Sequence, residues 1–176
     1  MRIFSFLTNS GYATANNIAS SVAHGDYLLF LNSDTILDPF CIEHMRSFTL
    51  QNKYGIGACL VTDYSGVDRH QCGMNVDLVG YPGLSDSHNP FYTVGCAFLI
   101  SAPLFRFLEG FDSSYFMYHE EIDLCWRAML HGHTVKRIPE AKVQHYGGGV
   151  SVAQVGQHSF ARTTESKRFL AERNRL

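Results

Sequence analysis

The stretch Asp26-Tyr27-Leu28-Leu29-Phe30-Leu31-Asn32-Ser33-Asp34 decides the fold that we expect. Its apolar run, 27–31, predicts a strand buried on both faces, because a strand with one wet face would alternate. The polar triplet 32–34 then lies at the carboxyl end of that strand, where ligands bind in open α/β sheets. A carboxylate fixed there suits a hard divalent cation carrying phosphates, since such cations take oxygen ligands. A turn or a helix cap is the alternative, because Asn, Ser and Asp are common in both.

Composition indicates one globular domain. The 176 residues are 45% hydrophobic and 17% charged, with a net charge of -2 and nine histidines. This balance argues against disorder, and it gives no basic surface for nucleic acid. The five cysteines have no C-x-x-C spacing, which argues against a disulfide framework or a zinc site and favours a reducing cytosolic setting. They are Cys41, Cys59, Cys72, Cys96 and Cys125.

The amino-terminal stretch predicts a strand, a turn and a short helix. Arg2–Leu7 is typical of a strand, and the Ala-rich segment 18–23 is typical of a helix with Ile18 and Val22 on one face. Between them, Gly11 permits close approach of another backbone, and a helix start offers free N–H groups to an anion. A plain strand-to-helix turn is the alternative, and for Gly11 alone it is favoured.

The elements that follow alternate between helix and strand. Asp38 and Pro39 start a helix over 40–51, with a buried side made of Ile42, Met45 and Phe48. Gly95 interrupts an apolar strand at 91–100, which suggests that another group approaches the backbone closely there. The remaining predictions are strands at 54–61, 133–138 and 142–145, a helix at 102–108, an irregular hairpin and loop at 66–90, and a helical pattern over 155–176.

The segment 115–132 concentrates acidic and aromatic residues. Its helical face would hold Ile122, Trp126 and Met129, and its first turn would hold Glu120, Glu121 and Asp123. Complementing the helix dipole, worth ~0.3–1 kcal/mol, would explain any one of these acids. Together the acids repel one another, which raises the proton affinity of at least one carboxylate and suits a general base. We therefore favour a functional role for the cluster.

His145, which precedes three glycines, has two equally weighted explanations. Histidine is a common metal ligand, and a flexible glycine segment would let it close over a ligand. A surface histidine before a hinge is the alternative.

Taken together, these segments resemble the family 2 glycosyltransferases, and especially the rhamnosyltransferase-like branch. Residues 9–17 resemble the family's N-x-G-F-A-x-x-N-N block, and 29–35 resemble the L-x-L-N-x-D-T variant of its D-x-D metal motif. Residues 110–127 resemble G-F-D-x-x-F-F-x-Y-x-E-D-x-D-L-x-x-R, and 139–149 resemble P-x-A-x-V-x-H-x-G-G. The pair at 173–174, Arg-Asn, also resembles a family feature.

The resemblance implies an α/β protein of the GT-A fold, a mixed sheet flanked by helices. It implies a donor that is a UDP-, dTDP- or GDP-sugar, and Mn²⁺ or Mg²⁺ bridging the donor's diphosphate. The metal would be held by Asp34 and His145. The donor would be contacted by Asn9, Gly11, Asn17 and Asn32.

On the acceptor side, the resemblance implies an inverting transfer to the hydroxyl of a glycan or a lipid-linked acceptor. Glu121 would be the base, with Glu120 and Asp123 beside it. Gly95, Trp126 and Arg127 would lie near the acceptor. Synthesis of cell-surface polysaccharide is implied, in the cytoplasm or at the inner face of the membrane.

Two departures from the family pattern affect these expectations. Glu121 stands where the family has Asp, and the extra methylene would displace the carboxylate by ~1 Å and lower the rate. The family's opening βαβ portion would precede Arg2. We therefore expect a single partial domain truncated at the N-terminus, with a nucleotide and metal part at about 1–50, an acceptor part at about 90–150 and a C-terminal helix at about 155–176.

A truncated sheet would leave a bare edge, which predicts a partner chain or self-association. Two other functions stay open on the sequence. One is a non-catalytic remnant that at most binds a sugar or a partner. The other is a nucleotidyltransferase with a similar sheet, which would need a glycine-rich phosphate loop after its first strand; the sequence shows none.

Overall fold

A computed structural model describes residues 3–52, 55–63, 71–85, 87–146 and 165–175. The helices are α1 (Gly11–Ser21), α2 (Cys41–Gln51), α3 (Ala102–Phe107), α4 (Glu120–Leu130) and α5 (Glu165–Arg173), with a 3-10 turn at Ser113–Tyr115. The strands are β1 (Tyr27–Leu31), β2 (Thr35–Leu37), β3 (Ile56–Asp63), β4 (Met74–Val76), β5 (Pro82–Leu84), β6 (Ala97–Ser101) and β7 (Val135–His145). Each described helix is too short or too polar to cross a membrane.

A five-stranded sheet in the order β1-β6-β3-β7-β2 forms the centre of the fold. β3 and β7 pair in parallel, and the other neighbours pair antiparallel, so the sheet is mixed as expected. β4 and β5 form a separate hairpin within the predicted loop region. Among the described strands, β1 pairs with β6 alone and therefore lies at an edge of the sheet.

Both faces of β1 are covered, which explains its unbroken apolar sequence. Leu28 and Phe30 belong to one buried cluster, whereas Tyr27 and Leu29 pack against a second cluster on the opposite face. In the first cluster, the ring of Phe30 lies 5.0 Å from that of Phe111. The predicted two-sided burial of this strand is therefore confirmed, although its side chains at 27 and 29 are only half-buried.

The amino-terminal prediction is wrong in two respects. The described residues 3–10 contain no strand, and the apolar side chains of 3–7 are exposed. None of the described strands pairs with residues 3–10, so their backbone takes no part in a β-ladder. α1 begins at Gly11 rather than Ile18, because its first N–H groups find partners outside the helix: Asn9 Oδ1 accepts that of Gly11 at 3.0 Å, and the Phe116 carbonyl accepts that of Tyr12 at 2.6 Å.

Two helices bury faces that only partly match those predicted. In α2, Met45 is buried and Phe48 packs against the core as predicted, but Ile42 is exposed and Cys41 is buried instead. In α4, Ile122 is buried as predicted, but Trp126 is 42% exposed. In both helices, the spacing of the hydrophobic residues alone did not distinguish the buried face from the face next to it.

The strand boundaries differ where the chain is irregular. β7 runs without interruption from Val135 to His145, and a register shift opposite Cys59 and Leu60 accommodates Pro139–Ala141. Proline has no N–H to give to a ladder, so a bulge keeps the strand continuous. The strand predicted at 91–100 begins only at Ala97. Tyr54, the loop 64–70 and residues 147–164 lie outside the described residues.

Gly11 fixes α1 against the segment that precedes α4. It adopts a φ of +78°, and a Cβ added there would lie 2.5 Å from Cδ2 of Phe116 and closer still to the Phe116 carbonyl oxygen. The next residue, Tyr12, donates its N–H to that carbonyl at 2.6 Å. The two backbones therefore touch, and only glycine fits between them.

We predict that Gly11→Ala lowers the free energy of unfolding by about 2 kcal/mol or more, from left-handed strain plus the clash. Urea denaturation measures this. Gly83→Ala is the matched control, since an added Cβ there meets nothing within 4 Å, and it should change stability by less than ~0.5 kcal/mol. Equal losses in the two variants would show that the contact with Phe116 does not constrain the fold.

Candidate active site

Strand pairing brings Asp34 and His145 together from distant parts of the sequence. After β1 the chain passes the polar triplet and at once enters β2, which pairs antiparallel with the end of β7. Thr35 lies opposite His145, and the N–H of Tyr146 donates to the Asp34 carbonyl at 2.9 Å. The end of β7 therefore runs directly alongside the loop that carries Asp34.

The side chains of this pair suit a divalent cation. Nε2 of His145 lies 3.2 Å from Oδ1 of Asp34, and the two side chains are 21% and 32% exposed. Apart from this contact with the carboxylate, the buried Nε2 meets no hydrogen-bond partner among the described residues. Carboxylate and imidazole groups are accepted ligands of Mn²⁺. The described residues contain no group of three or more His, Cys, Asp or Glu that could hold a metal.

The acidic residues Glu120 and Glu121 begin α4. Glu120 is only 5% exposed, and its Oε2 has no hydrogen-bond partner in the structure. Burial, and next the charge of Glu121, raise the pKa of Glu120 well above the ordinary carboxyl range. Burial also raises the pKa of Glu121, against the opposing effect of backbone hydrogen bonds. The pair therefore binds protons at a pH where an exposed carboxylate would not, as the sequence predicted for this cluster.

The Gly95–Cys96 turn connects the acidic pair to Asp34. A Cβ added to Gly95 would lie 3.2 Å from both Cδ and Oε1 of Glu121, so the close approach that this glycine suggested is that of the Glu121 carboxylate. On the other side, Asn32 donates its N–H to the Cys96 carbonyl at 2.9 Å. Burial raises the pKa of the Cys96 thiol, and the carboxylates of Asp34 and Glu121 raise it further. The carboxylates of Asp34 and Glu121 therefore both lie close enough to this turn to raise the pKa of the Cys96 thiol.

Tyr12 and Tyr92 line this region, and the sequence analysis did not single them out. The Tyr12 hydroxyl donates to the Gly95 carbonyl at 2.9 Å. Burial raises the pKa of Tyr12, and both glutamates contribute. Burial likewise raises the pKa of Tyr92, with Glu121 the next cause. Tyr12 directly follows Gly11 in residues 9–17, which resemble a family block, and this position could have drawn attention to it. No feature of the sequence pointed to Tyr92.

Asp123 and Arg127 form a salt bridge within α4. The guanidinium lies 2.6 Å from the Asp123 carboxylate, and it also donates to the carbonyls of Leu108 and Gly110. The pair thus ties α4 to the turn after α3. The predicted catalytic role of Asp123 and acceptor role of Arg127 receive no support from these contacts. Trp126 is partly exposed and packs edge-on against Phe91, and its predicted acceptor contact stays a prediction.

The N–H groups at the start of α1, which the sequence analysis offered to an anion, have partners within the protein. Asn9 accepts the first N–H of the helix, and the Phe116 carbonyl accepts the N–H groups of Tyr12 and Ala13. The Asn17 amide is also occupied, because it donates to the Phe111 carbonyl at 2.7 Å and accepts the N–H of Phe111 at 2.9 Å. These groups hold α1 in place. A donor role for Asn9, Gly11, Asn17 or Asn32 stays a prediction.

The mixed sheet flanked by helices agrees with the GT-A fold that the family resemblance implied, and solved glycosyltransferase structures share this fold. Residues 1–107, more than half of the chain, match the model of the family described as Glycosyl transferase family 2. The chain belongs to that family.

Relatives and solved structures agree with this assignment. Rhamnosyltransferase WbbL of Escherichia coli (strain K12) is 27% identical, over 77% of this chain and 61% of WbbL. GalNAc-T7, solved with UDP, GalNAc and Mn²⁺, superposes with a TM-score of 0.68 at 14% identity, over 81% of this chain and 31% of that one. S. aureus TarS 1-349 gives a TM-score of 0.54 at 18% identity, over 75% and 40%. This chain thus spans about three-fifths of WbbL. GalNAc-T7 and TarS share the fold of this chain.

Burying the acidic pair makes stability depend on pH. The pKa values are raised from 4.5 to about 8 for Glu120 and to about 7 for Glu121. Between the ordinary and the raised values the folded chain holds protons that the unfolded chain has released. The free energy of unfolding therefore falls as pH rises from about 4.5 to about 8.

We predict that the free energy of unfolding of Glu120→Gln falls less with rising pH than that of the parent chain. Urea denaturation at pH 8.5 should give a free energy of unfolding at least about 1 kcal/mol above that of the parent chain, and the two should differ little at pH 4. Glu43→Gln, on the exposed first turn of α2, should follow the parent chain at both pH values. A parallel pH dependence in Glu120→Gln and the parent would contradict the predicted proton affinity.

Proposed function

We propose that this chain carries the catalytic centre of an inverting glycosyltransferase, which moves a sugar from a nucleotide-diphosphate sugar to an acceptor hydroxyl in cell-surface polysaccharide synthesis. One observation supports it above the others. Asp34, which contacts His145, and Glu121 both lie close enough to the short turn Gly95–Cys96 to raise the pKa of the Cys96 thiol, although the three residues come from three parts of the sequence.

Asp34 and His145 would hold Mn²⁺ or Mg²⁺. When bound, such a cation supplies positive charge that stabilises a departing diphosphate. The position of His145 Nε2, 3.2 Å from the Asp34 carboxylate and with no hydrogen-bond partner among the described residues, supports this assignment. GalNAc-T7, which shares the fold, was solved with UDP and Mn²⁺.

Glu121 would act as the base. It takes the proton of the acceptor hydroxyl while that oxygen attacks the anomeric carbon from the face opposite the diphosphate. The new carbon–oxygen bond forms as the bond to the phosphate oxygen breaks, so the anomeric configuration inverts. A carboxylate with a raised pKa is a more effective base near neutral pH.

The donor would be a UDP-, dTDP- or GDP-sugar. Likeness to a rhamnosyltransferase makes rhamnose the first sugar to test. The acceptor would be a glycan or a lipid-linked glycan, in the cytoplasm or at the inner face of the membrane, and nucleic acid is not expected as a partner. Gly95, which borders Glu121, and the partly exposed Trp126 would lie on the acceptor side.

A non-catalytic binding role is the second candidate, and the exposed edge supports it. Among the described strands β1 pairs only with β6, and the apolar side chains of 3–7 are exposed nearby in sequence. An unpaired edge of this kind is a template for a partner chain or for self-association. The two candidates differ in whether the chain itself turns over a donor.

We predict that Mn²⁺ binds through the Asp34–His145 pair. Isothermal titration in the presence of UDP should show Mn²⁺ binding that weakens at least about tenfold in Asp34→Asn and in His145→Gln, because each loses a direct ligand. His88→Gln, in an exposed bend, is the matched control and should bind as the parent does. Unchanged affinity in His145→Gln would remove the metal assignment.

We predict that Glu121→Gln lowers transfer from the accepted nucleotide sugar by about 10²–10⁴-fold, since proton transfer to a positioned base contributes that much. Donor affinity should change little, and Glu121→Asp, which restores the family residue, should retain transfer. Release of nucleotide diphosphate measures the rate. A parent chain that binds Mn²⁺ and UDP but transfers no sugar from any donor would favour the non-catalytic role.

A further inference from the structure

The segment that leads into α4 has an unusual backbone. Three residues other than glycine adopt left-handed φ values: Phe116 at 62°, Tyr118 at 70° and His119 at 71°. Such conformations are unfavourable for residues with a Cβ and persist only where surrounding contacts hold them. His119 is also the N-cap of α4, and Glu120 and Glu121 follow it directly. The course of this segment therefore sets where the acidic pair lies.

Asn174, just after α5, provides contacts that hold this course. It is 8% exposed, and its Nδ2 donates to the carbonyls of Tyr115 at 2.8 Å, Met117 at 2.9 Å and Tyr118 at 2.8 Å. The main-chain carbonyl oxygen of Asn174 lies 3.2 Å from Nδ1 of His119. Because a carbonyl only accepts, that ring nitrogen carries the proton. A single residue thus contacts the backbone or side chain of nearly every position in the segment.

Arg173 fixes the orientation of the Asn174 amide. Its Nε donates to Oδ1 of Asn174 at 2.8 Å, which turns the amide nitrogen toward the three carbonyls. Its Nη2 donates to the carbonyls of Ser114 at 3.2 Å and Tyr115 at 2.8 Å. From the opposite side the N–H of Tyr12 holds the Phe116 carbonyl. The segment is therefore held between α1 and the end of α5.

We propose that Asn174 is a positioning residue for the acidic pair: its amide holds 115–119 in the left-handed course that places the Glu121 carboxylate against Gly95. This inference rests on the proposed function and deepens it, because it extends the catalytic machinery to the end of α5. The clearance is small, since even a Cβ on Gly95 would lie 3.2 Å from Glu121. A displacement of ~1 Å in such a site lowers a rate by about 10²-fold.

The test uses Asn174→Asp, which nearly preserves size and keeps an acceptor for Arg173 but removes the N–H donors. Asn174→Ser, which retains one donor, is the milder second variant. Arg168→Gln is the matched control, because Arg168 lies on the exposed side of the same helix, α5. The measurements are kcat and donor KM, backbone hydrogen exchange by mass spectrometry, and thermal unfolding.

In Asn174→Asp we expect kcat to fall at least tenfold with donor KM unchanged within twofold. Exchange over 115–121 should accelerate at least tenfold, and exchange in β3 should stay as in the parent chain. Asn174→Ser should show the same changes to a smaller extent, and Arg168→Gln should match the parent in every measurement.

Two results would overturn the inference. One is faster exchange throughout the chain in both Asn174 variants, which would make the contact a general stabiliser. The other is a fall in kcat with unchanged exchange over 115–121. If the parent chain transfers no sugar from any donor, the proposed function fails, and the exchange measurement alone decides for or against the positioning role.

Discussion

The antiparallel pairing of β2 with the end of β7 is the contact on which the candidate site depends. It places Thr35 opposite His145 and thereby sets the imidazole 3.2 Å from the Asp34 carboxylate. Backbone pairing positions side chains more rigidly than a loop could, because both residues are tied to the same ladder. The remaining parts of the site, the Gly95–Cys96 turn and the start of α4, are arranged around this pair.

The acidic pair costs the fold stability at the candidate site. Glu120 is buried, the pKa values of both glutamates are raised, and the pair follows a segment in which three residues have unfavourable φ values. A sequence selected for stability alone would place neither feature there. Contacts elsewhere in the chain offset the cost: α1 and the Arg173–Asn174 pair hold the segment from two sides. These contacts fix the position of the acidic pair at the start of α4.

Much of the fold could be predicted from local sequence, and much of the site could not. The apolar run 27–31 indicated β1 because two-sided burial leaves a clear pattern, and Gly95 indicated a close approach. The meeting of Asp34 with His145 came from family resemblance, since strand register has no local signal. The start of α1 and the exposure of Trp126 were missed because capping and tertiary packing override periodicity. Asn174 was noticed only as part of a motif; its role depends on contacts with a distant segment.

The most direct test of the central claim is paramagnetic broadening by Mn²⁺ in the NMR spectrum of the chain. Bound Mn²⁺ broadens nearby amide and ring resonances with a steep dependence on distance. If Asp34, His145 and Glu121 surround one site, substoichiometric Mn²⁺ should broaden the His145 ring together with the amides of Gly95 and Glu121. Broadening at His145 that leaves Gly95 and Glu121 sharp would contradict it, because the metal pair and the base would then belong to separate surfaces.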